Sequence, residues 1–170
     1  VPILYGSPKV AAYYRKVLNI ENFSLNTIRE PGEANGKRSN IINCVDDNVK
    51  VDLGKETPES DQAAMIALKY GLDQLDRNEI DVLMLAPHGP NTFFTEEAGS
   101  LMEYLGKRYN TTDIMSILVG EKIKMGFVTE QVKLRDVPHQ ITQKNIFKKL
   151  TLLDDTLRQD FTILKPKIAV

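Results

Sequence analysis

The chain has 170 residues, 42% hydrophobic and 26% charged, with a formal net charge of -1. These are globular values, and with Cys44 as the single cysteine they exclude collagen, wholesale disorder and a disulfide scaffold. The even charge balance argues against a nucleic-acid or anionic-membrane surface, and the longest apolar run, Val82 to Ala86, is far short of the ~20 residues a membrane span needs.

In chain order, Pro2 to Gly6 reads as a strand, and Ser7-Pro8 supplies an N-cap and a first-turn proline for a helix carrying Val10, Ala11, Tyr14 and Val17-Leu18. Phe23 to Ile28 alternates as a second strand, and Glu30 to Ser39 is a polar loop rich in proline, glycine and asparagine. Asn40 to Val45 is a third strand. Asp46-Asp47-Asn48 forms a turn, and Val49 to Leu53 a short fourth strand. Thr57-Pro58-Glu59 opens a long helix with cap, proline and acidic first turn.

Ile80 to Ala86 is nearly continuous in apolar residues, as strands buried on both faces of a parallel sheet are. A Pro/Gly loop, Ala86 to Pro90, follows it. Thr95-Glu96-Glu97 starts a helix running to about Tyr109. Ile114 to Val119 and Ile123 to Thr129 are strands about a tight turn, Asp136 to Thr142 a short capped turn, Gln143 to Asp160 a helix, and Lys167 to Val170 a last strand. Alternating strands and helices give an α/β domain with a mostly parallel sheet. The chain opens at Val1 and stops inside an apolar stretch, which suggests a piece of a longer chain.

Few residues point to chemistry on their own. His88 lies in the loop after an expected strand, where open α/β sheets place ligands, although an exposed loop histidine is the plainer reading. His139 reads as a helix-start residue. No histidine or cysteine spacing fits zinc, and no phosphate-binding glycine motif or nucleophile elbow is present. Glu96 and Glu97 suit a helix start, Asp46 and Asp47 a turn, Lys148-Lys149 a solvated face, and Cys44 an inert core thiol in a reducing cytoplasm.

Several stretches resemble one family. Pro2-Ile3-Leu4-Tyr5-Gly6-Ser7-Pro8 resembles the early strand and helix of 4-hydroxythreonine-4-phosphate dehydrogenase, of the vitamin B6 pathway. Ile80 to Pro87 resembles the strand into that family's V-T-A-P-I-N-K. Met102-Glu103-Tyr104-Leu105 resembles the end of its F-P-G-H-T-E-Y-L. Gly126 to Thr129, then Leu134 to Pro138, resembles its V-T-x-H-x-P-L-x-x-V-P, and Lys165 to Val170 the run into its L-N-P-H-A-G-E.

The resemblance spans the chain as a single α/β domain, residues 1–170. It implies a three-layer α/β/α fold with a mostly parallel sheet, similar to isocitrate dehydrogenase. It further implies a homodimer about twice this length per subunit, using NAD and a divalent metal to oxidise a small phosphorylated substrate. The substrate positions fall at Leu101, Met102 and Glu103, with Leu101 where the family has His and Met102 where it has Thr. Gln131 stands at the metal-ligand His, Leu85 at a Thr, Pro90 at a Lys and Asp61 at a usual Gly.

Leucine and methionine cannot hold a phosphate, and glutamine is a poor ligand beside imidazole. No catalytic residue is therefore assigned. The chain is expected to bind neither NAD nor metal and to be inactive alone. A non-catalytic scaffold or dimerisation module, and a phosphate acyltransferase-like enzyme, remain as alternatives.

Overall fold

The computed structural model describes residues 1–89, 92, 98–130 and 132–170. Its contacts divide the chain into two compact units, Val1–Ser100 and Leu101–Val170.

In the first unit, strand β1 (Ile3–Gly6) runs into helix α1 (Pro8–Val17). Ser7 is extended and its Oγ accepts from the Val10 amide at 3.3 Å, satisfying a donor the first turn leaves open. Asn19, at φ 53°, follows the helix end in the left-handed region that asparagine tolerates. Strand β2 (Leu25–Ile28), a single 3-10 turn (Pro31–Glu33) and strand β3 (Ser39–Asn43) come next.

The sheet order is β1-β3-β2, with both pairings parallel, and Ile41 lies opposite Leu4 on one side and Thr27 on the other. Successive strand residues point to opposite faces, yet Ile41 and Ile42 are 0% and 2% exposed. Both faces of the central strand are therefore covered, as a three-layer arrangement requires. Helix α2 (Pro58–Asp76) packs against β1, and α1 packs against β3. A reciprocal cap starts α2: the Thr57 hydroxyl accepts from the Ser60 amide, and the Ser60 hydroxyl from the Thr57 amide. Leu68 and Leu72 bury its inner face.

Two expectations fail in this unit. Ile80 to Ala86 is not a strand: Val82 is 69% and Met84 87% exposed, while Ile80 and Leu83 are half-buried and a Cβ on Gly71 would lie 2.7 Å from Leu83 Cδ1. Apolarity records a capacity for burial, whereas a strand also needs a hydrogen-bonding neighbour; among the described residues β1 pairs only with β3. Val49 to Leu53 is likewise irregular, wrapping past the start of α2 without a ladder partner.

The second unit holds helix α3 (Leu101–Arg108), strands β4 (Ile117–Val119) and β5 (Lys124–Gly126), a 3-10 turn (Leu134–Asp136), the short helix α4 (Val137–Gln140) and helix α5 (Gln143–Gln159). The helix start expected at Thr95-Glu96-Glu97 lies outside the described residues; Ala98 to Ser100 are not helical, and α3 begins at Leu101. β4 and β5 pair antiparallel, with Leu118 opposite Met125. Gly126 lets Met115 and Leu153 of α5 pack close to the strand: a Cβ there would lie 3.0 Å from Met115 Sδ and 3.5 Å from Leu153. Lys167 to Val170 is irregular rather than a strand, again with no neighbouring ladder. No described helix is long and apolar enough to cross a membrane.

Candidate functional site

A cleft of about 800 Å³ lies wholly within the second unit. One wall is α3, contributing Met102, Glu103, Gly106 and Lys107. A second is the segment after β5, with Val128, Thr129, Glu130 and Val132. The floor and far side come from the Thr111-Thr112 turn and from Asn145, Lys148 and Lys149 of α5. Two motif regions some thirty residues apart thus share one concavity.

Local hydrogen bonding explains how these side chains are held. Both oxygens of the Glu130 carboxylate face Ser116, accepting its amide at 2.8 Å and its hydroxyl at 2.6 Å. This clamp ties the chain after β5 to the chain before β4, closing the open end of a hairpin too short to be stable alone. Lys107 pairs with Glu103 one turn earlier on α3, at 2.8 Å. Lys148 pairs with Asp113 and donates to the Thr112 hydroxyl at 3.1 Å, while Lys149 donates to the Ile114 carbonyl. The hydrogen bond from Lys148 holds the Asp113 carboxyl below the usual carboxylate range.

The sequence-derived positions distribute unevenly. Met102 and Glu103 line the cleft; Leu101 opens α3 half-buried and is not among the lining residues. Gln131 lies outside the described residues, as do Pro90, Glu96 and Glu97, but Glu130 and Val132 on either side of Gln131 both line the cleft. His88 is exposed in the first unit, its Nδ1 3.0 Å from the Gly89 carbonyl, and His139 is exposed on α4. Asp61 accepts from the hydroxyl of buried Thr92 at 2.9 Å, a structural use of the carboxylate.

Lys148 is exposed, as a solvated face predicts, while Lys149 is half-buried; both line the cleft and reach back to the segment before β4. The signal for this was the Thr111-Thr112-Asp113 turn. It is rich in acceptors, but sequence proximity does not bring it near α5.

The donor set does not suit a divalent metal. The described lining holds no imidazole or thiolate, the Glu130 carboxylate is taken by Ser116, and Glu103 is paired with Lys107. Among the described residues no three His, Cys, Asp or Glu side chains gather as a metal site.

The family model for the pyridoxal phosphate biosynthetic protein PdxA matches residues 1–170. The chain belongs to the PdxA family. A 4-hydroxythreonine-4-phosphate dehydrogenase of Bacteroides thetaiotaomicron is 38% identical over 99% of this chain and 47% of its own length. One from Sulfurihydrogenibium is 24% identical over 99% of this chain and 52% of its own length. The chain thus spans about half the length of the curated relatives it matches.

A crystal structure of the Klebsiella pneumoniae 4-hydroxythreonine-4-phosphate dehydrogenase superimposes with a TM-score of 0.78 at 19% identity, covering 92% of this chain and 50% of that one. A Salmonella typhimurium structure, described as a putative member, superimposes at the same TM-score with 15% identity, covering 97% and 53%. The α/β fold with a mainly parallel sheet is therefore that of PdxA dehydrogenases, as the motif resemblance implied.

Proposed function

We propose that this chain is the central part of a PdxA-type dehydrogenase for 4-hydroxythreonine 4-phosphate whose oxidising site has been emptied, so that the chain alone does not turn over. The observation that carries the reading is the cleft itself. It gathers Met102-Glu103 with the residues flanking Gln131, as a shared substrate and metal site would, but its described lining offers thioether, amide, hydroxyl, ammonium and already committed carboxylate groups, with no imidazole or thiolate. A hydride leaves an alcohol carbon only as the hydroxyl proton is taken and the developing ketone oxygen is stabilised. Leucine at 101, methionine at 102 and glutamine at 131 supply neither a base nor a Lewis-acid ligand set. The same positions are the ones the family uses for a phosphorylated substrate, so the substrate class is retained as the expectation and NAD as the oxidant of the intact family site.

Calorimetric titration of the chain with NAD, with magnesium and with zinc should give no heat at micromolar affinity. NADH should not form from 4-hydroxythreonine 4-phosphate. Turnover by the chain would overturn the proposal. The combined change Leu101→His and Gln131→His should restore weak divalent-metal affinity, and its failure to do so would count against the assignment of these positions.

A second copy of the chain is proposed as the partner. The outward cross-strand pair Leu118 and Met125 on the β4–β5 hairpin supports this, since both side chains are large, apolar and exposed.

A further inference from the structure

The loop between β2 and β3 holds the one Asn-Gly pair of the sequence, Asn35-Gly36. Both residues are exposed, and nothing stands within 4 Å of where a Cβ on Gly36 would lie. The amide nitrogen that follows an asparagine can attack the side-chain carbon Cγ and close a five-membered ring. That reaction needs an amide without a partner, an unhindered approach and an electron-poor Cγ.

All three conditions are met here. The Gly36 amide donates no hydrogen bond among the described residues. Glycine brings no Cβ to hinder its approach. The Lys37 amide donates to Asn35 Oδ1 at 2.9 Å. There it draws electrons from Cγ and faces the negative charge that Oδ1 gains during attack, as a backbone oxyanion donor does. The main chain of Asn35 is anchored meanwhile by a buried side chain. Its amide donates to Asn40 Oδ1 at 3.0 Å, and its carbonyl accepts from Asn40 Nδ2 at 3.1 Å.

We propose that Asn35 is a self-modifying site that deamidates in the folded chain. The Gly36 nitrogen loses its proton to water and bonds to Asn35 Cγ. Nδ2 takes up a proton and leaves as ammonia, and a succinimide remains. Water then adds to either ring carbonyl and opens the ring, leaving aspartate or isoaspartate at position 35 with no change of oxidation state. The two products differ in their effect on the fold. Aspartate keeps the main chain as it was. Isoaspartate routes the chain through the side chain, adding a methylene before Gly36 and turning the Asn35 carbonyl into a carboxylate. Asn40 Nδ2 donates both to that carbonyl and, at 2.9 Å, to the Arg38 carbonyl. The insertion falls between these two acceptors, so isoaspartate pulls the Asn40 contacts apart and loosens the start of β3. The site does not depend on the dehydrogenase reading.

The test incubates the whole chain in mildly alkaline buffer and follows the tryptic peptide Glu30–Lys37 by mass spectrometry, with electron-transfer fragmentation to separate aspartate from isoaspartate. Asn35 should convert before any other asparagine, at a rate comparable to that of the free synthetic peptide. Gly36→Ala meets no neighbour in the fold and should slow conversion about tenfold, because its Cβ hinders the attack. The chromatographically resolved isoaspartate form should lose amide protection at Asn40 and Ile41 in hydrogen exchange, whereas the Asn35→Asp variant keeps the parent's protection. Asn35 left intact in the folded chain while the free peptide converts overturns the proposal, as does a Gly36→Ala rate equal to the parent's. Parent-like protection at Asn40 in the isoaspartate form overturns its structural half.

Discussion

Asn40 shows how much one buried polar residue can organise. It is 1% exposed, and its amide group gives hydrogen to the carbonyls of Pro2, Asn35 and Arg38, while its oxygen accepts from the Asn35 amide and the Asn26 side chain. These bonds fasten the loop between β2 and β3 to the amino ends of the strands. Asn40→Ala leaves several of those groups buried and unpaired, and should lower unfolding free energy by about 2–3 kcal/mol in urea titrations. A loss within a few tenths of a kcal/mol would show that water replaces the side chain.

Cys44 makes a different residue-scale prediction, because burial pushes its thiol up. An unfolded thiol ionises near about pH 8.5, and the folded one stays protonated above that. The folded state then binds more protons than the unfolded state. Its stability is fully present below the unfolded value and is lost as pH rises through it toward the folded value. Urea midpoints should therefore fall as pH rises above the unfolded thiol value of about 8.5, and Cys44→Ala should flatten the first part of that fall. Equal slopes in both proteins would remove Cys44 as the cause. Tyr5, shifted in the same direction by burial, extends the decline at still higher pH.

Among elements, the β4–β5 hairpin is the one whose existence needs explaining. Three residues per strand and two open edges give little stability by themselves. Met115 and Leu153 pack against Gly126 from one side, and the Ser116–Glu130 clamp closes the end. Ser116→Ala and Glu130→Ala should each destabilise the second unit by about 1–2 kcal/mol. Because they remove the same contact, the double variant should cost clearly less than the two singles together. Strict additivity would mean that the carboxylate acts elsewhere.

Two helix starts, by contrast, are readable from the sequence. Ser7-Pro8 and Thr57-Pro58 carry their own start signals, and the structure places both caps where those signals stand. Caps are local chemistry, satisfied within one turn. Ile80 to Ala86 and Lys167 to Val170 were misjudged because a strand is defined by a neighbour that may come from anywhere in the chain, and no local pattern reports it.

For the molecule as a whole, the proposed homodimer gives the broadest prediction. Leu118→Lys together with Met125→Lys places charge on the outward hairpin face and should shift sedimentation from dimer to monomer with little change in unfolding midpoint. A monomeric parent chain would remove that role from the hairpin.

By itself the sequence determined the family, the α/β class and the helix starts at Ser7 and Thr57, because these depend on residue type and order along the chain. Tertiary structure alone decided which apolar stretches became strands, since ladder partners are non-local. It alone brought Lys148 and Lys149 of α5 to the same cleft as Met102 of α3. It also committed Glu130 to Ser116, because a carboxylate's chemistry is set by what folding places beside it.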